Sequence, residues 1–139
     1  MSIGSWDPTG STTQPSNTID PTILQGFIDI AMANDMTVNE VNLARSLSTQ
    51  EQQQFAMMQA DQQQWDTALA SCTDPQLLAL IAFFTLIESQ LSDWVGGQKS
   101  PVIWITKRLK SEGKKLPKEL QQWIRQNSSN RYLPNGPIG

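Results

Sequence analysis

The chain has no histidine, one cysteine and one tyrosine among its 139 residues. Each scarcity removes a class of chemistry. Without imidazole, the commonest general base near neutral pH is missing, and neither a Ser-His-Asp nor a Cys-His arrangement can form. Zinc sites draw on thiolates and imidazoles, and Cys72 alone cannot build one. The Glu-x-x-His pairs of a di-iron carboxylate bundle are equally impossible. A single cysteine forbids an internal disulfide, which suits a reducing compartment. Neither a metal nor a cofactor is expected.

Long apolar runs are also missing. The longest uninterrupted one, "LLALIAFF", covers Leu77–Phe84 and falls well short of the roughly 18 residues a bilayer span needs. The opening stretch "MSIGSWDPTGSTTQPSN" has no basic residues and no apolar segment, so it does not read as a secretory signal. The expectation is a soluble, cytoplasmic chain with no membrane span. "GGQKSP" at 96–101 resembles the end of a phosphate loop only faintly. It lacks the adjacent Gly-Lys and the leading glycine, and it follows a helical pattern rather than a strand. Asp61 and Asp66, five apart on one helix, diverge, and no other pair of acids has a spacing that argues for acid-base work.

Positive charge is scarce until late in the chain. Residues 1–95 hold eleven acids and one base, Arg45, whereas residues 96–139 hold nine bases and two acids. The overall charge of −3 therefore hides a strongly acidic two-thirds joined to a basic final third, the strongest global signal here.

What is present is helical. Residues 1–19, rich in Ser, Thr, Pro, Asn and Gly, read as a flexible N-terminal arm with Trp6 as its one anchor. Asp20–Pro21 opens a helix carrying Leu24, Phe27, Ile28 and Ala31 on one stripe, with Gly26 explained by close helix packing. Capping-box patterns at Thr37–Glu40 and Ser48–Glu51 start two more, a short one to about Leu47 and a long one from Thr49 to about Ala70. Phe55, Met58, Trp65 and Leu69 form the stripe of the long one, and its glutamines form a solvated face. Asp74–Pro75 opens a segment that is apolar all round and stops at Gly96–Gly97, which marks it as central. Two helices follow, from Ser100–Pro101 to Gly113 and from Pro117 to Asn127. No segment alternates with the period of a strand. The reading is an all-α, single-domain bundle of five to six helices over 20–127, with an irregular tail over 128–139.

Three groups of residues carry functional readings. Glu88 sits on the apolar stripe of Leu77, Ile81, Phe84, Leu91 and Val95, so its carboxylate needs a partner. Arg45, on a stripe with Val38 and Val41, is the expected one, giving a buried ion pair that is structural or interfacial. Trp104 lies nearly opposite the core stripe of Val102, Ile105 and Leu109, and Lys107 and Arg108 follow it by three and four residues. An indole flanked by cations suits a protein hot spot or a stacked base. Lys110, Lys114 and Lys115 extend this basic surface into the "GKKLP" connection, and Tyr132 and Leu133 in the tail add an apolar clasp.

By subtraction, the expected function is a non-catalytic protein-protein interaction or adaptor role, in which the oppositely charged regions pair with a partner or with a second copy. A small nucleic-acid-binding regulator is the alternative, with the last two helices as a helix-turn-helix-like pair. The chain's pI of about 4.8 argues against it. A basic amphipathic helix on an anionic membrane surface is a lesser reading. A carboxylate enzyme built around Glu88 is a further alternative.

Overall fold

The structure, a computed structural model, describes residues 19–37, 41–94, 96–128 and 130. The expected arm up to residue 18 with Trp6, the Val38, Glu40 and Val95 positions, and the tail from 131 with Tyr132 and Leu133 lie outside the described residues. Within them the chain is all-α: seven α-helices, two 3-10 segments and no strand.

The helix with the apolar circumference is the axis around which the rest is arranged. We number it α5, Asp74–Gln90. Thr73 caps it, not Asp74. Thr73 Oγ1 accepts from Gln76 N–H and Gln76 Oε1 accepts from Thr73 N–H, a reciprocal pair that satisfies two of the free N-terminal donors. Pro75 falls in the first turn, where its missing N–H costs nothing. The helix ends at Gln90, with Leu91 extended, six residues before the expected stop at Gly96. Ten of its residues, from Leu77 to Glu88, are buried.

α1, Pro21–Ala33, starts as its sequence indicates, with the Asp20 carboxylate accepting from the Thr22 and Ile23 amides. It lies along α5. Phe27 stacks on Phe83 at 4.8 Å between ring centroids and meets Phe84 and Trp94 edge-on. Trp65 meets Phe84 edge-on at 5.4 Å from another side. Aromatic pairs of this kind add about 0.5–1.5 kcal/mol each to the apolar burial.

The single helix expected over 49–70 is broken into three pieces. α3 is Thr49–Gln52, a 3-10 segment covers Phe55–Gln59, and α4 is Gln62–Leu69. The Ser48–Glu51 capping box forms as expected. A second one, Asp61 with Gln64, restarts the helix. Between them Met57, Met58 and Ala60 are all buried. Phe55, assigned to the core stripe, is instead exposed, while Met58, Trp65 and Leu69 are buried.

α2 is one turn, Leu43–Ser46, capped by Asn42 rather than at Thr37. The Gln90 amide docks it on the end of α5: its Oε1 accepts from Leu43 N–H and its Nε2 donates to Val41 O, each at 2.8 Å. α6, Pro101–Ser111, packs between α5 and α4. Gly113, at φ +78°, closes it. The Gly113 amide donates to Lys110 O and the Lys114 amide to Leu109 O, the paired bonds of a left-handed helix stop. α7, Lys118–Asn127, returns across α5.

Candidate interaction surfaces

The face of α6 that carries Trp104 is less open than its sequence suggests. Pro101, Val102, Ile103, Ile105, Thr106 and Leu109 are all buried, because α5 covers one side of the helix and α4 another. Trp104 is therefore half-buried, packed against the core edge. Its Nε1–H is sealed from water and finds no acceptor among the described residues, and neither does Nε of Arg108 one turn on. Lys107 Nζ stands 5.2 Å from the indole centroid, a cation–π contact worth about 0.5–1 kcal/mol at an exposed site.

Lys107, Lys110, Lys114 and Lys115 are all exposed. Lys114 folds back on the start of α5, with Nζ 2.6 Å from Asp74 Oδ2 and 3.6 Å from Glu112 Oε1. The hydrogen bond to Asp74 holds the Lys114 pKa above its ordinary value. So part of the basic third is neutralised by the acidic part of the same chain, and Trp104 does not stand free beside it.

Glu88 is buried, but Arg45 is not its partner. Arg45 is exposed on α2. The Glu88 carboxylate instead accepts from three neutral donors: Ser100 Oγ at 2.6 Å, Gly96 N at 3.0 Å and Asn130 Nδ2 at 3.1 Å. Asn130 Nδ2 also donates to Gly97 O, and Ser100 Oγ accepts from Val102 N–H at the start of α6. One carboxylate thus ties the end of α5 to the 91–100 connection, to the cap of α6 and to the chain leaving α7. Its oxygens are turned inward to these donors rather than to a cleft.

Cys72 is half-buried. Burial pushes its thiol pKa up, and the nearby Arg108 guanidinium offsets this in part, so it is not primed as a thiolate. No group of three or more metal-ligating side chains occurs among the described residues, and no helix there is long and apolar enough to cross a membrane.

One open feature among the described residues was announced by no motif. A groove crosses α5, bounded on one side by the end of α1 and the turn after it, and on the other by α7. Its first lobe, about 640 Å³, is lined by Met32, Met36, Leu78, Ala79, Leu120 and Trp123 among others. A second lobe of about 840 Å³ shares Met36, Thr37 and Trp123 with it and continues past Val41 and Leu86 to Gln90 and Asn127. The floor is one face of α5, where Leu78, Ala79, Ala82 and Leu86 recur at helical spacing. Two alanines on that face keep it low. α7 makes the far wall with a narrow stripe: Ile124 is buried, while Leu120 and Trp123 are only partly so. Met32 stands 51% exposed at the edge.

No family model, no curated protein and no solved structure matches this chain.

The readable signals for the groove were the paired alanines within an otherwise bulky helix and the strong one-sidedness of "LPKELQQWIRQN". Neither identifies an opening without knowing which elements fail to cover α5.

Proposed function

We propose that the chain is a non-catalytic interaction protein that receives a segment of another protein in the groove across α5. The observation that carries this reading is the groove itself: two connected lobes floored by Leu78, Ala79, Ala82 and Leu86, with the Met32 side chain open at the rim. Volumes of this order are typical of ligand-sized clefts, ~300–1,000 Å³, and an apolar opening between helices is a common seat for a peptide segment. The exposed Lys107, Lys110 and Lys115 supply a separate basic edge. Their part in this reading is steering an acidic partner surface, or that of a second copy, rather than anchoring it. The folding-back of Lys114 onto Asp74 weighs against the nucleic-acid alternative, since it removes a cation from the phosphate-binding set.

The test is site-specific photocrosslinking in the cells that make the protein. A photoreactive side chain at Ala79, in the groove, is compared with one at Ser71, which is exposed and outside it. A discrete protein adduct from position 79 alone is the expected outcome. The same adducts from both positions, or none from 79, would overturn the reading.

A further inference from the structure

We infer that the occupant of the groove is an amphipathic α-helix of a partner protein, about three turns long, whose apolar ridge is flanked by lysine or arginine. This rests on the groove reading above and adds the partner's backbone form and charge.

The backbone form follows from hydrogen-bond accounting. An extended segment exposes its N–H and C=O groups and docks by adding to a sheet edge. Among the described residues there is no strand, so no such edge is offered. A helix satisfies its own backbone and needs from its receptor only a trough for one row of side chains. The floor from Leu78 to Gln90 covers thirteen residues of α5, about 18 Å from first to last, which matches about three turns of a partner. Ala79 and Ala82 leave the centre of that floor without bulk, where a second helix can approach. Met32 and Met36 line one wall, and their unbranched side chains adapt to ridges of varied shape.

The charge follows from which ionisable groups line the two lobes. Asp35 and Glu119 do, one on each wall of the first lobe, and no lysine or arginine among the described residues lines either lobe. The cations of α7, Lys118 and Arg125, lie outside the lining set, as does Arg45 on α2. The Asp35 carboxylate accepts from the Thr37 amide and hydroxyl, bonds to neutral donors that leave its charge in place. An acidic helix laid in the groove would meet both carboxylates, whereas a basic one pairs with each wall.

Two synthetic 14-residue helical peptides test the assignment on the full chain. They share one leucine ridge and differ only in carrying lysines or glutamates beside it. Binding is followed by calorimetry and by amide and indole NMR shifts. The lysine peptide should bind roughly tenfold tighter or more. It should shift Leu78, Ala79, Leu120 and the Trp123 indole, and should weaken severalfold with Glu119→Lys and with Ala79→Trp. Equal binding of both peptides, or preference for the glutamate peptide, overturns the charge assignment and leaves the groove reading standing. Binding of the lysine peptide that ignores both substitutions marks general attraction to an acidic surface and overturns the inference. Failure of both peptides to shift the groove residues overturns the inference and the groove reading together.

Discussion

Ser100 Oγ donates a 2.6 Å hydrogen bond to Oε2 of Glu88, and both residues are buried. The same hydroxyl oxygen accepts from Val102 N–H, so the side chain that caps α6 is oriented by a carboxylate from α5. Glu88 completes its shell with the Gly96 amide and the Asn130 side chain. A carboxylate on an apolar stripe is tolerated here because three neutral donors converge on it.

Ser100→Ala removes the cap and one of the carboxylate's donors together. The expected loss is about 1.5–3 kcal/mol, since hydrogen bonds to charged groups and helix caps each contribute on the order of 1 kcal/mol or more. Glu88→Ala should cost more, about 2–4 kcal/mol, because it strands the Gly96 N–H and the Ser100 hydroxyl inside. Glu88→Gln keeps an acceptor for Gly96 and Asn130 and should fall between wild type and alanine. Urea unfolding midpoints at constant m-value would check the order. Indifference to Glu88→Ala would contradict the role given to this node.

Two glycines should respond in opposite senses. A Cβ on Gly96 would lie 2.7 Å from Ser100 Cα and 3.0 Å from Ser100 N, both backbone atoms that cannot turn aside. Gly96→Ala is therefore expected to destabilise by about 1–3 kcal/mol, the usual range for overpacking. At Gly26 the nearest atom is Oε2 of Glu51, at 3.0 Å, on a side chain whose Oε1 accepts from Ser48 N–H and which need give only a few tenths of an ångström by turning about that bond. Gly26 lies inside α1, so Gly26→Ala should stabilise by about 0.5–1 kcal/mol through helix propensity. Thermal unfolding of both variants, with wild type alongside, gives the sign of each directly.

How much of this was legible in the chain depends on how local each signal is. The starts of α1 and α6 were readable because Asp20–Pro21 and Ser100–Pro101 carry their caps within three residues. The break in the 49–70 segment had an equally local sign in Asp61 and Gln64, but the stripe of Met58, Trp65 and Leu69 outweighed it. The stripe left Glu88 either buried or at a helix rim facing water, and the fold buries it. Its partners were not legible, because they are neutral groups 8, 12 and 42 residues away, and no charge pattern marks them. The helix wheel left Trp104 either exposed or in a second buried contact, because a wheel assumes one covered side and α6 has two. The groove depends on which part of α5 the described elements leave uncovered, which only the assembled fold reveals.

Thr106 is 1% exposed, and its Oγ1 has no hydrogen-bond partner among the described residues. Thr85, by contrast, donates from Oγ1 to Ile81 O at 2.7 Å, the usual way for a buried threonine to satisfy its hydroxyl within a helix. Removing an unsatisfied buried hydroxyl while keeping the branched shape should recover its desolvation cost. Thr106→Val is expected to stabilise by about 0.5–1.5 kcal/mol. A loss of stability in denaturant unfolding would show that the hydroxyl is in fact paired.

Cys72 gives the chain an alkaline dependence that can be isolated. Burial raises its pKa and Arg108 partly restrains the rise, so the folded chain holds the thiol proton more tightly than the unfolded chain does. The stabilisation is then fully present below the unfolded-state value, about 8.5 for a free thiol, and is lost as pH climbs through the higher folded-state value. The difference in unfolding free energy between wild type and Cys72→Ser should be flat below that point and fall above it. Iodoacetamide alkylation of the native chain should rise with pH along a curve displaced upward from that of a free thiol. Arg108→Met removes the restraining charge and should displace the curve further. Its cost in stability should be small, because the Arg108 Nε finds no acceptor among the described residues. An inflection at or below the free-thiol value, or a downward move in Arg108→Met, would contradict this account of the electrostatics beneath α6.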